Sequence, residues 1–430
     1  MNLIKILKNK IVKNAGWIVG GRLANKILAF VVGVFTARYL GPDNFGLINY
    51  AAAYTAFFAS LCNLGINSII IKDFSDNPDE EGEALGTTLV LRAISSFLSA
   101  LMIVGIVSLV DKNEPLTILV AALSSIGLLF QIFDAFNQWF QYRLKSKYYA
   151  VATVIAYITV SVYKIILLIT GKSVAWFAIA TSVDYIVVAI LLLLAYKKNN
   201  GPKLSFSMCK AKQLLSVSSG FIIAGLMVSI YAYTDKFMLK QMLGEAAAGY
   251  YSLAFSLSTF WEFILVAVMD SMYPSIIDAY NVDRERFDRK NRQLYAMVIY
   301  ISLTASILIC IFGRLIVQVL YGAEYLPTVQ PLRIVVWYTT FSYLGAARNA
   351  WVVSENKQKY LKYLYAAAAI INIVLNLVLI PLWGVSGAAL ASLVTQISTT
   401  VILPAFIPAL RPNARLMVEA LMLKNVFKKE

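Results

Sequence analysis

The residues best suited to bind a charged ligand are two cations, Arg22 and Lys26, four residues apart within a long apolar segment. In an α-helix this spacing places both side chains on one face, beside Asn25. Like charges on one face repel each other, and a charge at the centre of a bilayer costs about 2.5–3.5 kcal/mol. An anionic ligand in a water-filled cavity removes both penalties. The pattern therefore predicts an anion-binding site that contains Arg22, Asn25 and Lys26.

Further cations inside apolar segments extend this predicted substrate-binding set: Lys164, Lys236 and Arg348. Four arginines in such segments lie within two turns of an expected helix end: Arg92, Arg314, Arg333 and Arg348. A long side chain at that position can extend its charged end to the membrane surface. We expect that role for these four arginines, with ligand binding by Arg348 as the alternative.

Four acids in apolar segments are candidates for binding a coupling proton or a cation such as Na⁺: Asp134, Asp184, Asp235 and Glu262. Buried carboxylates also hold helices together by pairing with polar neighbours. Two such pairs remain open as alternatives to a functional role. They are Lys164 with Asp184, across a tight helical hairpin, and Asp235 with Lys236.

No pattern in the sequence is typical of a metal, cofactor or nucleotide site. The chain has no His, and its three Cys form no CxxC pair, which argues against zinc sites and disulfide frameworks. Gly171-Lys172-Ser173 resembles the end of a Walker A motif, but Ile166 stands where that motif requires its first glycine. We therefore expect no cofactor, no metal and no catalytic residue, and energy from an ion gradient or the membrane potential.

The composition shows that lipid surrounds most of these residues. Of the 430 residues 60% are hydrophobic and 14% are charged, whereas soluble domains are about 45–50% apolar and about 25% charged. The formal charge of +15 lies in short clusters between apolar runs, which argues against a nucleic-acid-binding stripe. A helix crosses a bilayer in about 20 residues. Runs of that length predict about 12 spans, near 14–38, 45–70, 84–109, 116–141, 148–170, 174–196, 213–240, 248–273, 293–320, 328–353, 359–381 and 385–409.

The distribution of Lys and Arg predicts the orientation of these spans. Of the 38 cations, 26 lie in the N-terminal tail, in every second connection and in the tail from Arg411, and the intervening connections hold four. Because positive segments stay in the cytoplasm, both termini are expected there. The basic C-terminal tail is expected to contact anionic membrane lipid.

The pattern of the first half of the chain repeats in the second half. Residues 41–46 match residues 244–249 at an offset of 203, and Asn137 and Trp139 match Asn349 and Trp351 at an offset of 212. An offset of six spans gives both halves the same orientation, as in a parallel repeat. We therefore predict an all-α polytopic membrane protein of two six-helix bundles, at 1–196 and 213–410, with a cytoplasmic linker at 197–212 and a basic cytoplasmic tail at 411–430.

Motifs that follow one another along the whole chain resemble those of a known family. They are Arg38-Tyr39-Leu40-Gly41-Pro42 with Phe45-Gly46, Thr234-Asp235-Lys236 leading to Gly244 and Gly249-Tyr250-Tyr251, Tyr321-Gly322-Ala323-Glu324-Tyr325, and Ile380-Pro381-Leu382-Trp383-Gly384-Val385-Ser386-Gly387-Ala388-Ala389. In order and spacing they resemble Wzx-type flippases for O-antigen, teichoic acid or capsule repeat units. These flippases belong to the multidrug/oligosaccharidyl-lipid/polysaccharide exporter superfamily.

This resemblance implies two helical bundles around a central cavity and a specific transport task. The task is to move a lipid-linked oligosaccharide, typically a polyprenyl-diphosphate repeat unit, across the bacterial plasma membrane by alternating access. Polysaccharide-assembly proteins are implied as partners. The diphosphate is an anion that Arg22 and Lys26 can bind by charge-assisted hydrogen bonds.

Two other functions remain as alternatives. A drug or cation antiporter of the same superfamily would depend on Asp184 or Glu262 more than on the cations. A membrane-embedded polysaccharide glycosyltransferase or polymerase would need external carboxylates and a sizeable external loop. The short external connections argue against that enzyme.

Overall fold

The computed structural model describes the backbone of residues 10–424 and 426, and the side chains of residues 26–67, 69–424 and 426. Helices form nearly all of this part of the chain, and no strand occurs in it. Lipid offers no hydrogen-bond partners to backbone N–H and C=O groups, and a helix pairs these groups within one segment. The prediction of an all-α fold is therefore confirmed.

The chain divides into two compact units that meet in sequence at Ser229 and Ile230. In the first unit, α7 packs against α4 and α6, and α1 packs against α6. Its helices are α1 (Lys10–Cys62), α2 (Asn67–Asp76), α3 (Glu81–Val110), α4 (Pro115–Gln131), α5 (Ala135–Tyr142), α6 (Lys147–Ile169) and α7 (Val174–Lys198). Helix α8 (Met208–Leu243) contains the boundary between the two units. The limits of the two six-helix bundles, at 1–196 and 213–410, stay a prediction.

In the second unit, α11 packs against α10, α12 and α15, and α12 packs against α13. The helices are α9 (Glu245–Ser258), α10 (Glu262–Val282), α11 (Arg284–Tyr321), α12 (Val329–Ser354), α13 (Leu361–Ile397), α14 (Leu403–Phe406) and α15 (Arg411–Leu421). Short 3₁₀ helices lie at Pro78–Glu80, Ile132–Asp134, Ala323–Thr328 and Gln358–Tyr360, and a π-helical turn lies at Ser398–Ile402.

Within the described residues, nine helical stretches are long and apolar enough to cross a membrane. Two of them are kinked at a glycine with non-helical backbone angles, Gly41 in α1 and Gly384 in α13. Each of these stretches therefore joins two helices. The chain is a multi-pass membrane protein, and the count of about 12 spans stays a prediction.

The repeat found in the sequence has a counterpart in the backbone. Gly41 has φ 71° and ψ 172°, and its match Gly244 has φ 92° and ψ 179°. Essentially only glycine occupies this region, because a Cβ atom would clash with the backbone. At both positions a new helix begins directly after the glycine. The conserved feature of the two halves is thus a sharp turn between helices.

Each unit has its own apolar core. Trp139 is 2% exposed in the core of the first unit, and its match Trp351 is 1% exposed in that of the second. Both tryptophans therefore pack inside their units. Their burial fixes the helices that also carry Asn137 and Asn349, two residues before each tryptophan.

Candidate functional site

A cavity of about 560 Å³ in the first unit brings three predicted site residues together. Lys26 reaches it from α1, Asp134 from the 3₁₀ turn between α4 and α5, and Asp184 from α7. One cation and two carboxylates thus share a cavity inside a membrane protein. Intramembrane charges of this kind mark substrate or ion pathways.

The remaining polar lining of this cavity is neutral and was not predicted as a site. Amide side chains, tyrosines and one threonine supply it: Gln131, Asn137, Gln141, Tyr149, Thr153, Tyr157 and Tyr185. Amides offer both donors and acceptors, and aromatic rings offer flat apolar faces, which together suit a sugar. Tyr149, Thr153 and Tyr157 follow at intervals of four along α6, so their shared face was visible in the sequence.

The break between α4 and α5 positions Asp134. Tyr149 forms a hydrogen bond with this carboxylate, and Arg92 interacts with it electrostatically. The Arg92 side chain is 1% exposed and donates a hydrogen bond to Oδ1 of Asn67. The expectation that Arg92 extends to the membrane surface is therefore wrong. Because Asp134 lies in the interior, the arginine is held there by an opposite charge.

Two predicted ligand-binding residues, Arg22 and Asn25, have side chains outside the described residues. Lys164 lies on α6 and does not line the cavity. It interacts electrostatically with Asp184 on the adjoining helix α7, as in the pair weighed from the sequence. The Asp184 Oδ1 atom is buried and has no hydrogen-bond partner in the described part of the chain. Asp184 therefore lines the cavity with one carboxylate oxygen that no described residue binds.

The second unit contains a buried carboxylate, Asp235, bound by four neutral donors. Asn372 and Asn376 donate to Oδ1 at 3.0 and 2.5 Å. The hydroxyls of Tyr251 and Ser392 donate to Oδ2. These four donors come from α9 and the two arms of α13, so Asp235 on α8 ties three helices together.

Lys236 is adjacent to Asp235 in the chain and interacts with it electrostatically. Consecutive residues of a helix do not face each other, so the four donors occupy the carboxylate instead. Glu262 lies where the helix is interrupted between α9 and α10. It accepts a hydrogen bond of 2.6 Å from the hydroxyl of Tyr343.

Arg348 lines a second cavity, of about 200 Å³, in the second unit. Its side chain is 4% exposed, so the expectation that it extends to the membrane surface is wrong. Nη1 donates to the carbonyl oxygen of Thr399 at 3.2 Å. Thr399 lies in the π-helical turn, a feature that occurs often at functional sites. Arg314 and Arg333 are exposed, and their extension to the membrane surface stays a prediction.

The surroundings of Arg348 suit an anion. Its Nε atom is buried and has no hydrogen-bond partner among the described residues. The polar lining of the cavity consists of hydroxyls and amides: Tyr231, Ser342, Asn349, Tyr365, Gln396, Thr399 and Thr400. Asn349 matches Asn137 of the first cavity in the sequence repeat. Each unit thus places its copy of this asparagine in a polar cavity.

Comparison with known proteins relates the chain to a family of polysaccharide biosynthesis proteins. The sequence model of a family described as "Polysaccharide biosynthesis protein" matches residues 11–280. The chain is 19% identical over 394 residues to a Shigella flexneri protein named "Putative O-antigen transporter". That match covers 89% of this chain and 94% of the other.

Solved structures show a similar fold. A structure of lipid II flippase MurJ in an inward closed conformation has a TM-score of 0.75 at 14% identity, covering 95% of this chain and 93% of that one. An inward-facing multidrug resistance transporter of the MATE family, within the MOP superfamily, has a TM-score of 0.68 at 15% identity. It covers 91% of this chain and 95% of the other.

Proposed function

Because the chain belongs to the polysaccharide biosynthesis protein family, we propose that it is a flippase for an anionic lipid-linked oligosaccharide. The substrate is a polyprenyl-diphosphate repeat unit. It is moved across the bacterial plasma membrane by alternating access, in a protein whose two termini lie in the cytoplasm. Family membership and the fold shared with MOP-superfamily transporters support this proposal.

The cavity of the first unit is the observation that carries the proposal. The volume of this cavity, about 560 Å³, lies within the range of about 300–1,000 Å³ for ligand pockets. The cavity can therefore hold part of an oligosaccharide. Lys26 supplies a cation for the diphosphate, with Arg22 and Asn25 assigned to the same face by their spacing. The amides and tyrosines supply partners for sugar hydroxyls and ring faces.

Arg348 is proposed as a further anion contact, within its own cavity. A buried guanidinium that lacks a partner at Nε carries a desolvation cost, and a bound anionic group would offset it. Lys164 and Lys236 complete the proposed set of substrate-binding cations. Lys164 itself does not line the cavity of the first unit, and its proposed effect on the substrate is through its electrostatic interaction with Asp184.

Four acids are proposed to couple transport to an ion gradient of H⁺ or Na⁺: Asp134, Asp184, Asp235 and Glu262. Asp134 and Asp184 line the cavity of the first unit. Binding of a proton or cation to these acids can therefore affect binding of the substrate in the same cavity. Asp235 is the most enclosed of the four, at 3% exposed. Its four hydrogen-bond donors are neutral, so the electrostatic interaction with Lys236 is what offsets its charge before a coupling ion binds.

A cation or drug antiporter is the second candidate, favoured by the two carboxylates in the same cavity. The structural relatives include multidrug transporters, and the three proteins compared above are named as transporters or flippases rather than enzymes. These names argue against a glycosyltransferase or polymerase. The two transporter hypotheses differ in which residues dominate, because a cation needs Asp184 and an anion needs Lys26.

Reconstitution into proteoliposomes with a defined lipid-linked oligosaccharide tests both hypotheses. Loss of a hydrogen bond to a charged group costs about 1.5–3 kcal/mol, so Lys26→Gln should slow translocation by at least about tenfold. Lys112→Gln removes the same charge at an exposed position and should leave the rate unchanged. Equal rates for Lys26→Gln and the parent, with loss of drug transport in Asp184→Asn, would replace the flippase by the antiporter.

A genetic experiment tests the task in the cell. Deletion of the gene should abolish the surface polysaccharide and leave lipid-linked repeat units on the cytoplasmic side. Normal polysaccharide export in the deletion strain would contradict the proposal. The parent gene supplied in trans is the control that assigns any loss to this chain.

A further inference from the structure

The C-terminal helix α15 and the start of α11 enclose a basic pocket of about 490 Å³ at the end of the second unit. Three arginines line it, Arg292 from α11 with Arg411 and Arg415 from α15, against two acids, Asp288 and Glu419. The pocket therefore has an excess of positive charge. It is separate from the cavities assigned to transport.

The acids of the pocket are already bound. Glu419 accepts hydrogen bonds from Arg292 at 2.8 Å and from Arg415 at 2.9 Å. Burial alone would raise the pKa of Glu419, but these two arginines outweigh it and hold the pKa below its usual range. Asp288 forms an ion pair of 3.3 Å with Arg284, one turn earlier on α11. Each acid is thus paired with an arginine other than Arg411, although Oδ1 of Asp288 has no hydrogen-bond partner among the described residues, and the three arginines outnumber the two acids.

The arginines, in contrast, retain unused donors. Arg292 is 11% exposed, and its Nε atom is buried without a hydrogen-bond partner in the described part of the chain. Arg411 donates from Nε to the carbonyl oxygen of Ala405 at 3.0 Å rather than to a carboxylate. The first turn of α15 also contains no acid. The guanidinium group of Arg411 and the positive end of the helix dipole thus favour an anion at the same place.

The position of the pocket points to lipid as the source of that anion. Helix α11 has 38 residues, about 57 Å at 1.5 Å per residue, and so extends well beyond a bilayer core of about 30 Å. On α15, Val418 is 42% and Leu421 is 50% exposed, beside the basic residues of the same helix. Exposed apolar and basic residues on one short helix are typical of helices that lie at the membrane surface.

We propose that this pocket binds the phosphate group of an anionic lipid headgroup. Arginine suits phosphate because its planar guanidinium donates two parallel hydrogen bonds to two oxygens. The bound phosphate accepts hydrogen bonds from the guanidinium groups of Arg292 and Arg411, which line the pocket. A lipid held there fastens α15 to the membrane surface. The proposal is independent of the transported substrate.

Calorimetric titration of the full chain in neutral detergent tests this site. The probes are short-chain phosphatidylglycerol, short-chain phosphatidylcholine and inorganic phosphate. Phosphatidylglycerol should bind saturably, and the double variant Arg411→Gln/Arg415→Gln should weaken its binding about 30-fold, since each basic residue contributes about fivefold. Both residues are exposed, so the double variant is expected to fold.

A matched control removes the same charge on the same predicted side of the membrane. Lys359→Gln/Lys362→Gln replaces two exposed cations outside the pocket and should keep the parental affinity. Equal affinity of inorganic phosphate would support the site and assign free phosphate as its ligand. The proposal would be overturned if neither phosphatidylglycerol nor inorganic phosphate bound. It would also be overturned if the two double variants weakened the binding of phosphatidylglycerol equally. Because no step measures translocation, these outcomes do not depend on the proposed flippase activity.

Discussion

Removal of the Asp235 carboxylate gives the sharpest test of the packing in the second unit. Asp235 is 3% exposed and accepts from four donors, the amides of Asn372 and Asn376 and the hydroxyls of Tyr251 and Ser392. In Asp235→Ala all four lose this acceptor. The cost depends on which of them have another partner.

Two of the four donors can be satisfied without Asp235. The Tyr251 and Ser392 hydroxyls lie 3.0 Å apart, so one can donate to the other. The Asn376 amide lies 3.1 Å from Oδ1 of Asn372. One hydroxyl and the Asn372 amide remain as buried donors without acceptors. At about 1–3 kcal/mol for each, Asp235→Ala should destabilise the protein by about 2–6 kcal/mol.

Asp235→Asn separates hydrogen bonding from charge. The asparagine oxygen can still accept from the two amides, and its NH₂ group can donate to the two hydroxyls, which can turn to accept. This variant loses only the charge assistance and should cost less than Asp235→Ala. Asp278→Ala, at an exposed position on α10, should stay within about 0.5 kcal/mol of the parent.

The assay is the free energy of unfolding, measured by denaturant titration in mixed micelles. The expected order of stability is parent and Asp278→Ala, then Asp235→Asn, then Asp235→Ala. An Asp235→Ala variant as stable as the parent would refute the reasoning. So would an asparagine variant less stable than the alanine variant, because hydrogen-bond loss would then not determine the cost.

Three further predictions concern other parts of the chain. A Cβ atom at Gly387 would lie 2.0 Å from the backbone oxygen of Leu379, so Gly387→Ala should lower thermal stability, whereas Gly105→Ala, with no atom within 4 Å, should not. A membrane-impermeant maleimide should label exposed Cys209 in inside-out but not right-side-out vesicles, as the predicted orientation requires. Because the pKa of Glu419 is lowered, its contribution to stability is present above about pH 4.3 and is lost as the pH falls through its folded pKa. Hydrogen exchange in α15 should therefore accelerate on acidification in the parent, after correction for intrinsic rates, but not in Glu419→Gln.

The sequence predicted the cavity of the first unit only in part. Lys26, Asp134 and Asp184 stand out because charges in apolar segments are rare, and the structure brings them together. Their neutral neighbours do not stand out, since tyrosine and asparagine are common at helix packing faces. The interval of four between Tyr149, Thr153 and Tyr157 is a signal that helical periodicity alone could have supplied.

Proximity to a segment end misled the sequence interpretation of Arg92 and Arg348. Both lie near expected helix ends, where a long side chain can reach the membrane surface. The structure buries them at 1% and 4% exposed. The direction in which a side chain points depends on the rotation of its helix against its neighbours. That rotation cannot be read from distance along the chain.

By itself, the sequence determined that this protein is an all-α membrane protein with an internal repeat. These properties depend on composition, on hydropathy along one segment and on glycines at fixed offsets, all of which are local or periodic. Only the tertiary structure decided which polar residues meet. Asn376 and Ser392 reach Asp235 from 141 and 157 residues away, and Arg292 reaches Glu419 across 127. Such contacts arise from the packing of helices that are distant in sequence, so no local pattern specifies them.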